Sequence, residues 1–261
     1  LISEECGRQL KKCSLEMGGK NGLIVMRDAD IDAAAKATAS GAFSTAGQRC
    51  AATSRVFVHK AAYSAFIKKL LRETKKMKVG LGNEPDTKVC PIINKRQFDK
   101  IMAYIKEAKK EGATLICGGN ALTRGKFSKG NFIEPAIFTD VTYNSRIAQE
   151  EIFGPVLCVF KINNLNEAIE KINSADYGLT ASIFTSDVNS AMLALEKIET
   201  GCSYVNAPTF GSEPHMPFGG VKNSGNGTRE PGIQCLDVFT EWKTIYIDYS
   251  GASQNSQYKT K

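Results

Sequence analysis

Apolar residues along this chain recur with two different periods. Tyr63, Phe66, Ile67, Leu70 and Leu71 fall at helical spacing, as do Phe98, Ile101, Met102 and Ile105, and again Leu165, Ala168, Ile169 and Ile172. Each set predicts a helix with one buried stripe. Between these sets, short apolar runs at 55–58, 114–117, 155–160, 181–184 and 203–205 read as strands. The run at 155–160 has no polar face, which predicts burial on both sides. The alanine-rich segment Ile31–Phe43 reads as a further helix, with Asp28 and Asp30 placed to cap it. Asp187 is placed to cap another helix that turns Val188, Ala191, Met192, Leu195 and Ile198 inward, with Gly201 as its stop. Strands alternating with helices predict an α/β fold: an open, mostly parallel sheet with helices on both faces.

Two stretches break this rhythm. Residues 207–233 hold Pro208, Pro214, Pro217, Pro231 and a cluster of glycines, and a long ordered loop inside a compact domain usually carries function. Residues 242–247 have strand composition but precede a polar tail. That segment reads either as a subunit contact or as an edge strand of the chain's own sheet.

Composition narrows the classes. A chain of 261 residues, 42% hydrophobic and 23% charged, is an ordinary globular protein of one or two domains. The net charge of +7 is spread over Lys68-Lys69, Lys75-Lys76 and Lys109-Lys110. These pairs sit among apolar residues at helical spacing and read as solvated helix faces, so no nucleic-acid partner is expected. The eight cysteines form no C-x-x-C pair, which predicts free thiols in a reducing compartment and no metal site. No apolar run approaches the roughly 18 residues needed to span a bilayer, and the first residues lack a basic, hydrophobic leader. A soluble, cytoplasmic protein without a membrane partner is the expectation.

The chemistry concentrates in two segments. Cys50 lies among small residues in Gly47-Gln48-Arg49-Cys50-Ala51-Ala52, and Glu16 precedes paired glycines in Leu15-Glu16-Met17-Gly18-Gly19-Lys20. Cysteine is a strong nucleophile near neutral pH, and glutamate is a serviceable base for activating water. A thiol and a base suffice for two-step acyl chemistry. Each residue also has a plain reading, as a small buried hydrophobe and a surface carboxylate. Of the two histidines, His59 ends a strand and reads as structural, while His215 lies in the irregular loop.

Together with Gln149-Glu150-Glu151-Ile152-Phe153-Gly154-Pro155 and Pro217-Phe218-Gly219-Gly220, these segments resemble the active-site signatures of the NAD(P)-dependent aldehyde dehydrogenases. The resemblance implies that Cys50 attacks the aldehyde, that hydride passes to NAD or NADP, and that Glu16 activates water to release the acid. Relatives that hand the acyl group to coenzyme A tend to lack this glutamate, so hydrolysis is the implied fate. It also implies cofactor contacts at Glu151, Phe153 and Gly18, and a substrate tunnel lined by Phe218 and Phe210. Two departures stand out. Thr228 interrupts the usual Ser-Gly-x-Gly-Arg-Glu, and Gly22 replaces a common proline and should loosen a turn.

The resemblance covers only the later half of the family's sequence. It implies that residues 1–18 end a cofactor-binding lobe, with Glu4 to Lys20 as its last helix and strand. Residues 19–238 would then form the catalytic domain, 239–250 an oligomerisation strand, and 251–261 a polar tail. The chain is thus expected to be a fragment, inactive as a dehydrogenase alone, from a protein that forms a homodimer or homotetramer. A thiol esterase and a non-catalytic assembly module are the alternatives.

Overall fold

The structure is a computed structural model that describes residues 1–249 and 251. Apart from Gly251, the predicted polar tail lies outside the described residues. Seven strands form the main sheet: β1 (Asn21–Val25), β2 (Thr53–His59), β3 (Thr114–Cys117), β4 (Ala136–Thr139), β5 (Val156–Ile162), β6 (Thr180–Phe184) and β7 (Cys202–Val205). Their spatial order is β7-β6-β1-β2-β5-β4-β3. All neighbours run parallel except β3 and β4, which are antiparallel. β1 is buried along its whole length and β5 at every position but Lys161, as expected of central strands covered on both faces.

The principal helices are α1 (Ile2–Arg8), α2 (Ile31–Phe43), α3 (Tyr63–Lys75), α4 (Lys95–Lys110), α5 (Arg146–Gln149), α6 (Leu165–Asn173), α7 (Val188–Lys197) and α8 (Cys235–Phe239). Helices α2 and α3 pack on one another, as do α6 and α7. Phe43, Phe66 and Leu70 are fully buried where α2 and α3 pack, and Phe57 is fully buried near Ile172 of α6.

Several expectations need correction. Asp30 does cap α2, accepting from the Ala33 amide at 3.0 Å, but Asp28 does not. Asp28 instead accepts from Thr185, Ser186 and Asp187, tying the end of β1 to the end of β6. Burial alone would raise its carboxyl pKa, yet the Ser186 and Thr185 hydrogen bonds hold it down at about 2. In α7 only Ala191 and Ala194 are buried, while Val188, Met192 and Leu195 face outward. The helix is capped by Asp187 but ends at Lys197. Gly201 therefore does not stop it. A Cβ there would fall 1.6 Å from the Gly219 carbonyl oxygen, so this glycine permits a close crossing of two chain segments.

Gly22 likewise belongs to no turn. It lies inside β1 with the side chain of Ile172 packed on it. The segment before β1 holds α1, but its predicted strand reduces to one bridge, Glu16 to Gly225. Residues 242–247 form no ladder with the chain's own sheet, and Trp242, Ile245, Tyr246 and Ile247 are exposed. Among the described residues, therefore, the edge-strand reading finds no pairing strand. His59 ends β2 and accepts from the Ala61 amide, a turn contact; His215 is exposed in its loop.

Candidate active site

Three signature segments enter three adjacent strands from the same end of the sheet. Glu16 to Lys20 precedes β1, Cys50 precedes β2, and Glu151 to Gly154 precedes β5. In parallel strands, segments at the same end must converge. Open α/β sheets generally place ligands at the carboxyl ends of their strands; here the chemistry gathers at the amino ends.

Glycine brings the segments into contact. A Cβ on Gly18 would lie 2.6 Å from Glu151 Oε2, and one on Gly19 would lie 2.6 Å from the Cys50 carbonyl oxygen. The Gly19 amide donates to Glu151 Oε1 at 2.9 Å. The stretch carrying Glu16 therefore lies against both the cysteine backbone and the Glu151 carboxylate. Farther back it is held by the proline- and glycine-rich loop. Met17 donates to the Ser224 carbonyl and Leu15 to Asn226 Oδ1, while Thr228 Oγ1 pairs with Ser14 Oγ at 2.7 Å. Thr228, a departure in sequence, thus serves as an anchor for this segment.

Cys50 follows an abrupt reversal. Thr45, Ala46 and Gly47 have φ of 57°, 55° and 66°, and the left-handed region is costly for a β-branched threonine. Gln48 braces this turn by donating to the Thr45 and Pro91 carbonyls. A Cβ on Gly47 would lie 2.2 Å from the Gly154 carbonyl oxygen and 2.9 Å from that of Ala42. Gly47→Ala is therefore expected to destabilise the fold by about 3 kcal/mol, from strain and overpacking together. Urea unfolding measures it; a loss under about 0.5 kcal/mol, within the range of a neutral surface change, would count against this crossing.

The electrostatics are mixed. Cys50 is half-buried. Burial pushes its thiol up, the Ala51 amide and its own amide pull it down, and the charges of Glu16 and Glu151 push it up further, for a net rise. The nearby backbone amides thus favour the thiolate, but burial and two carboxylates outweigh them. Glu16 is also raised, first by burial and then by Glu230, against an opposing pull from Arg229. The rise carries Glu16 toward neutrality, as suits a base, but carries the Cys50 thiol farther from it.

The remaining predicted residues divide. Phe153 is partly exposed with φ of 56°, held there by Gln97, which donates to the Ile152 and Phe153 carbonyls. It shares a small crevice with Gly19, Arg49 and Glu151. Arg49 turns away to lie over the Phe210 ring, 5.1 Å from its centroid. Phe218 is fastened by backbone hydrogen bonds to Glu230 and lines a separate cleft of about 420 Å³ with Tyr204 and Met216. Phe210 is not among the residues that line this cleft.

Sequence reading missed the residues that hold this site together. Lys20 is buried, donates to the Ile147 and Glu150 carbonyls, and is brought down to about 8 by that burial. Arg55, fully buried, donates to the Lys20 carbonyl. Charges inside apolar strands were the available signal, since such groups stay buried only when paired. Among the described residues no cluster of three or more His, Cys, Asp or Glu side chains could hold a metal ion.

Known proteins share this fold. The sequence profile of the aldehyde dehydrogenase family matches residues 1–245. An alpha-ketoglutaric semialdehyde dehydrogenase from Bacillus subtilis is 44% identical over 90% of this chain and 48% of its own length. A betaine aldehyde dehydrogenase from Brucella anthropi is 40% identical over 95% of this chain and 50% of its own length. Among solved structures, a 3,6-anhydro-L-galactose dehydrogenase in complex with NAP superposes with a TM-score of 0.91 at 35% identity, covering 95% of this chain and 51% of its own. A Staphylococcus aureus betaine aldehyde dehydrogenase in complex with NAD+ gives 0.87 at 35% identity, covering 91% and 47%. The chain spans about half the length of the curated relatives it matches. With the profile match running through nearly all of the described residues, the chain belongs to the aldehyde dehydrogenase family.

Proposed function

We propose that this chain carries the catalytic residues for oxidising an aldehyde, with semialdehydes among the candidate substrates, to a carboxylic acid. The observation that carries this reading is the single stretch from Glu16 to Asn21, which packs on both the Cys50 backbone and the Glu151 carboxylate. The Cys50 sulfur forms a bond to the aldehyde carbon as the carbonyl π bond opens, and the thiol proton passes to the former carbonyl oxygen, giving a thiohemiacetal. The Cys50 and Ala51 amides, already directed at the sulfur, are suited to share the developing negative charge; one such donor is typically worth about 3 kcal/mol. NAD or NADP, when bound, would supply the hydride acceptor; loss of hydride from the carbon and of the proton from its oxygen to solvent leaves Cys50 acylated as a thioester. Glu16 then draws a proton from water, whose oxygen adds to the thioester carbon and expels the Cys50 thiolate with release of the acid.

The residues beside the crevice suit such a cofactor. Glu151 is an acceptor-only carboxylate matched to ribose hydroxyls, with Gly18 against it, and the Phe153 ring is partly open for a planar heterocycle. Two relatives were solved with NAD+ and with NAP. The exposed apolar residues Trp242, Ile245 and Ile247 support self-association as a homodimer or homotetramer. Eight unpaired cysteines suit a reducing, cytoplasmic setting, and no helix of the described residues is long and apolar enough to cross a membrane.

The test is to supply small aldehydes with NAD+ or NADP+, and separately an activated ester, to residues 1–261 and to the same chain joined to a dinucleotide-binding half. The joined protein is expected to form reduced cofactor, and residues 1–261 alone are not. Ester hydrolysis without reduced cofactor from either would favour a thiol esterase, and neither activity would favour an assembly module.

A further inference from the structure

We propose that Asn21 is a positioning residue for Cys50, its side-chain amide clamping the nucleophile's backbone so that the Ala51 N–H stays aimed at the sulfur. This rests on the reading of Cys50 as nucleophile. Asn21 opens β1 and is 2% exposed. Its two amide protons are both engaged: Nδ2 donates to the Cys50 carbonyl at 2.7 Å and to the Ala52 carbonyl at 2.8 Å. Its Oδ1 accepts from the Thr180 amide at 3.1 Å, at the first residue of β6. One side chain thus joins the start of β6, the start of β1 and the cysteine turn.

The peptide unit between Cys50 and Ala51 makes this more than a structural tie. Asn21 grips the carbonyl of that unit, and the N–H of the same unit, that of Ala51, lies next to the nucleophile, where it favours the thiolate. A planar peptide cannot turn its carbonyl without turning its N–H. Donation to the carbonyl also polarises the amide and strengthens its N–H as a donor. Gly19 closes the other side, since a Cβ there would meet both the Cys50 carbonyl oxygen and Asn21 Oδ1.

The charged neighbours leave these amides as the local support for a thiolate. Glu16 and Glu151 oppose ionisation of Cys50. The Arg49 guanidinium is occupied over Phe210, and Lys20 Nζ donates to the Ile147 and Glu150 carbonyls.

The experiment compares iodoacetamide alkylation of Cys50 against pH in the protein and in Asn21→Ala and Asn21→Leu, read by mass spectrometry. Neither variant adds charge. Cys158, 1% exposed in the core, reports on folding in the same spectra. The expected result is a Cys50 profile displaced upward by about one pH unit, hence about tenfold slower alkylation below its midpoint, with Cys158 still protected. Mere loosening would do the opposite and speed both cysteines. An unchanged Cys50 profile with Cys158 protected overturns the clamp. Should both variants expose Cys158, the unmutated protein decides: the Asn21 side-chain amide resonances must move with the Cys50 titration, and fixed resonances overturn the inference. Failure of the nucleophile reading shows separately, as retained turnover in Cys50→Ala.

Discussion

In the chain joined to a dinucleotide-binding half, Cys50→Ala is expected to abolish aldehyde oxidation, lowering kcat by at least about 10⁴-fold, as loss of a covalent nucleophile does elsewhere. The substitution removes one sulfur and leaves the turn intact. Cys50 belongs to no part of the buried core, and the contacts that hold its backbone run through its carbonyl to Asn21 and Gly19. Unfolding in urea should therefore be nearly unchanged while aldehyde oxidation disappears, and so should any ester hydrolysis the parent shows. Cys158 offers no substitute: it is sealed in the core, and burial pushes its thiol up to about 11. Steady-state turnover by the alanine variant within tenfold of the parent would refute the assignment of the nucleophile.

Glu16→Gln is expected to lower kcat by about 10²–10³-fold, the usual contribution of a positioned general base. The effect should fall on deacylation. Rapid mixing with aldehyde and cofactor should give one fast turnover, followed by a stalled thioester visible as added mass on Cys50. The pH dependence follows from the direction of the Glu16 shift. Its carboxyl pKa is raised above 4.5 by burial and by Glu230, and only the ionised form acts as a base. In the parent, kcat should therefore climb as pH rises through that raised value, and the glutamine variant should lose this acid limb. The same shift bears on stability with the opposite sign. Folding favours the protonated carboxyl, so that contribution is full below 4.5 and is lost as pH rises through the raised value. A glutamine variant that keeps the acid limb would place the base elsewhere.

Much of the scaffold was legible along the chain. The helical stripes of α3, α4 and α6 and the apolar run of β5 announce themselves by period, and those elements form where expected. Where reading failed, it failed at positions whose role depends on a partner far away. Asp28 has the composition and place of a cap, yet amides near 186 compete for it and win. In α7 the apolar residues suggest a buried face, but among the described residues only Ala191 and Ala194 of the helix are buried, and Met192 and Leu195 face outward. Gly22 and Gly201 look like punctuation and are crossing points.

What the sequence determined by itself is local: the period of each helix and strand, the α/β alternation that follows, and the two side chains, Cys50 and Glu16, whose intrinsic chemistry suits acyl transfer. The tertiary structure alone decided how those parts meet. Parallel strands β1, β2 and β5 bring three loops to one end of the sheet, where the Gly19 amide meets a carboxylate 132 positions away and Asn21 meets a carbonyl 29 positions away. Hydrophobic period depends on near neighbours in the chain and can be read from them. A hydrogen bond to a distant carbonyl, or a clash that only glycine avoids, depends on the crossing of segments and exists only once the sheet has formed.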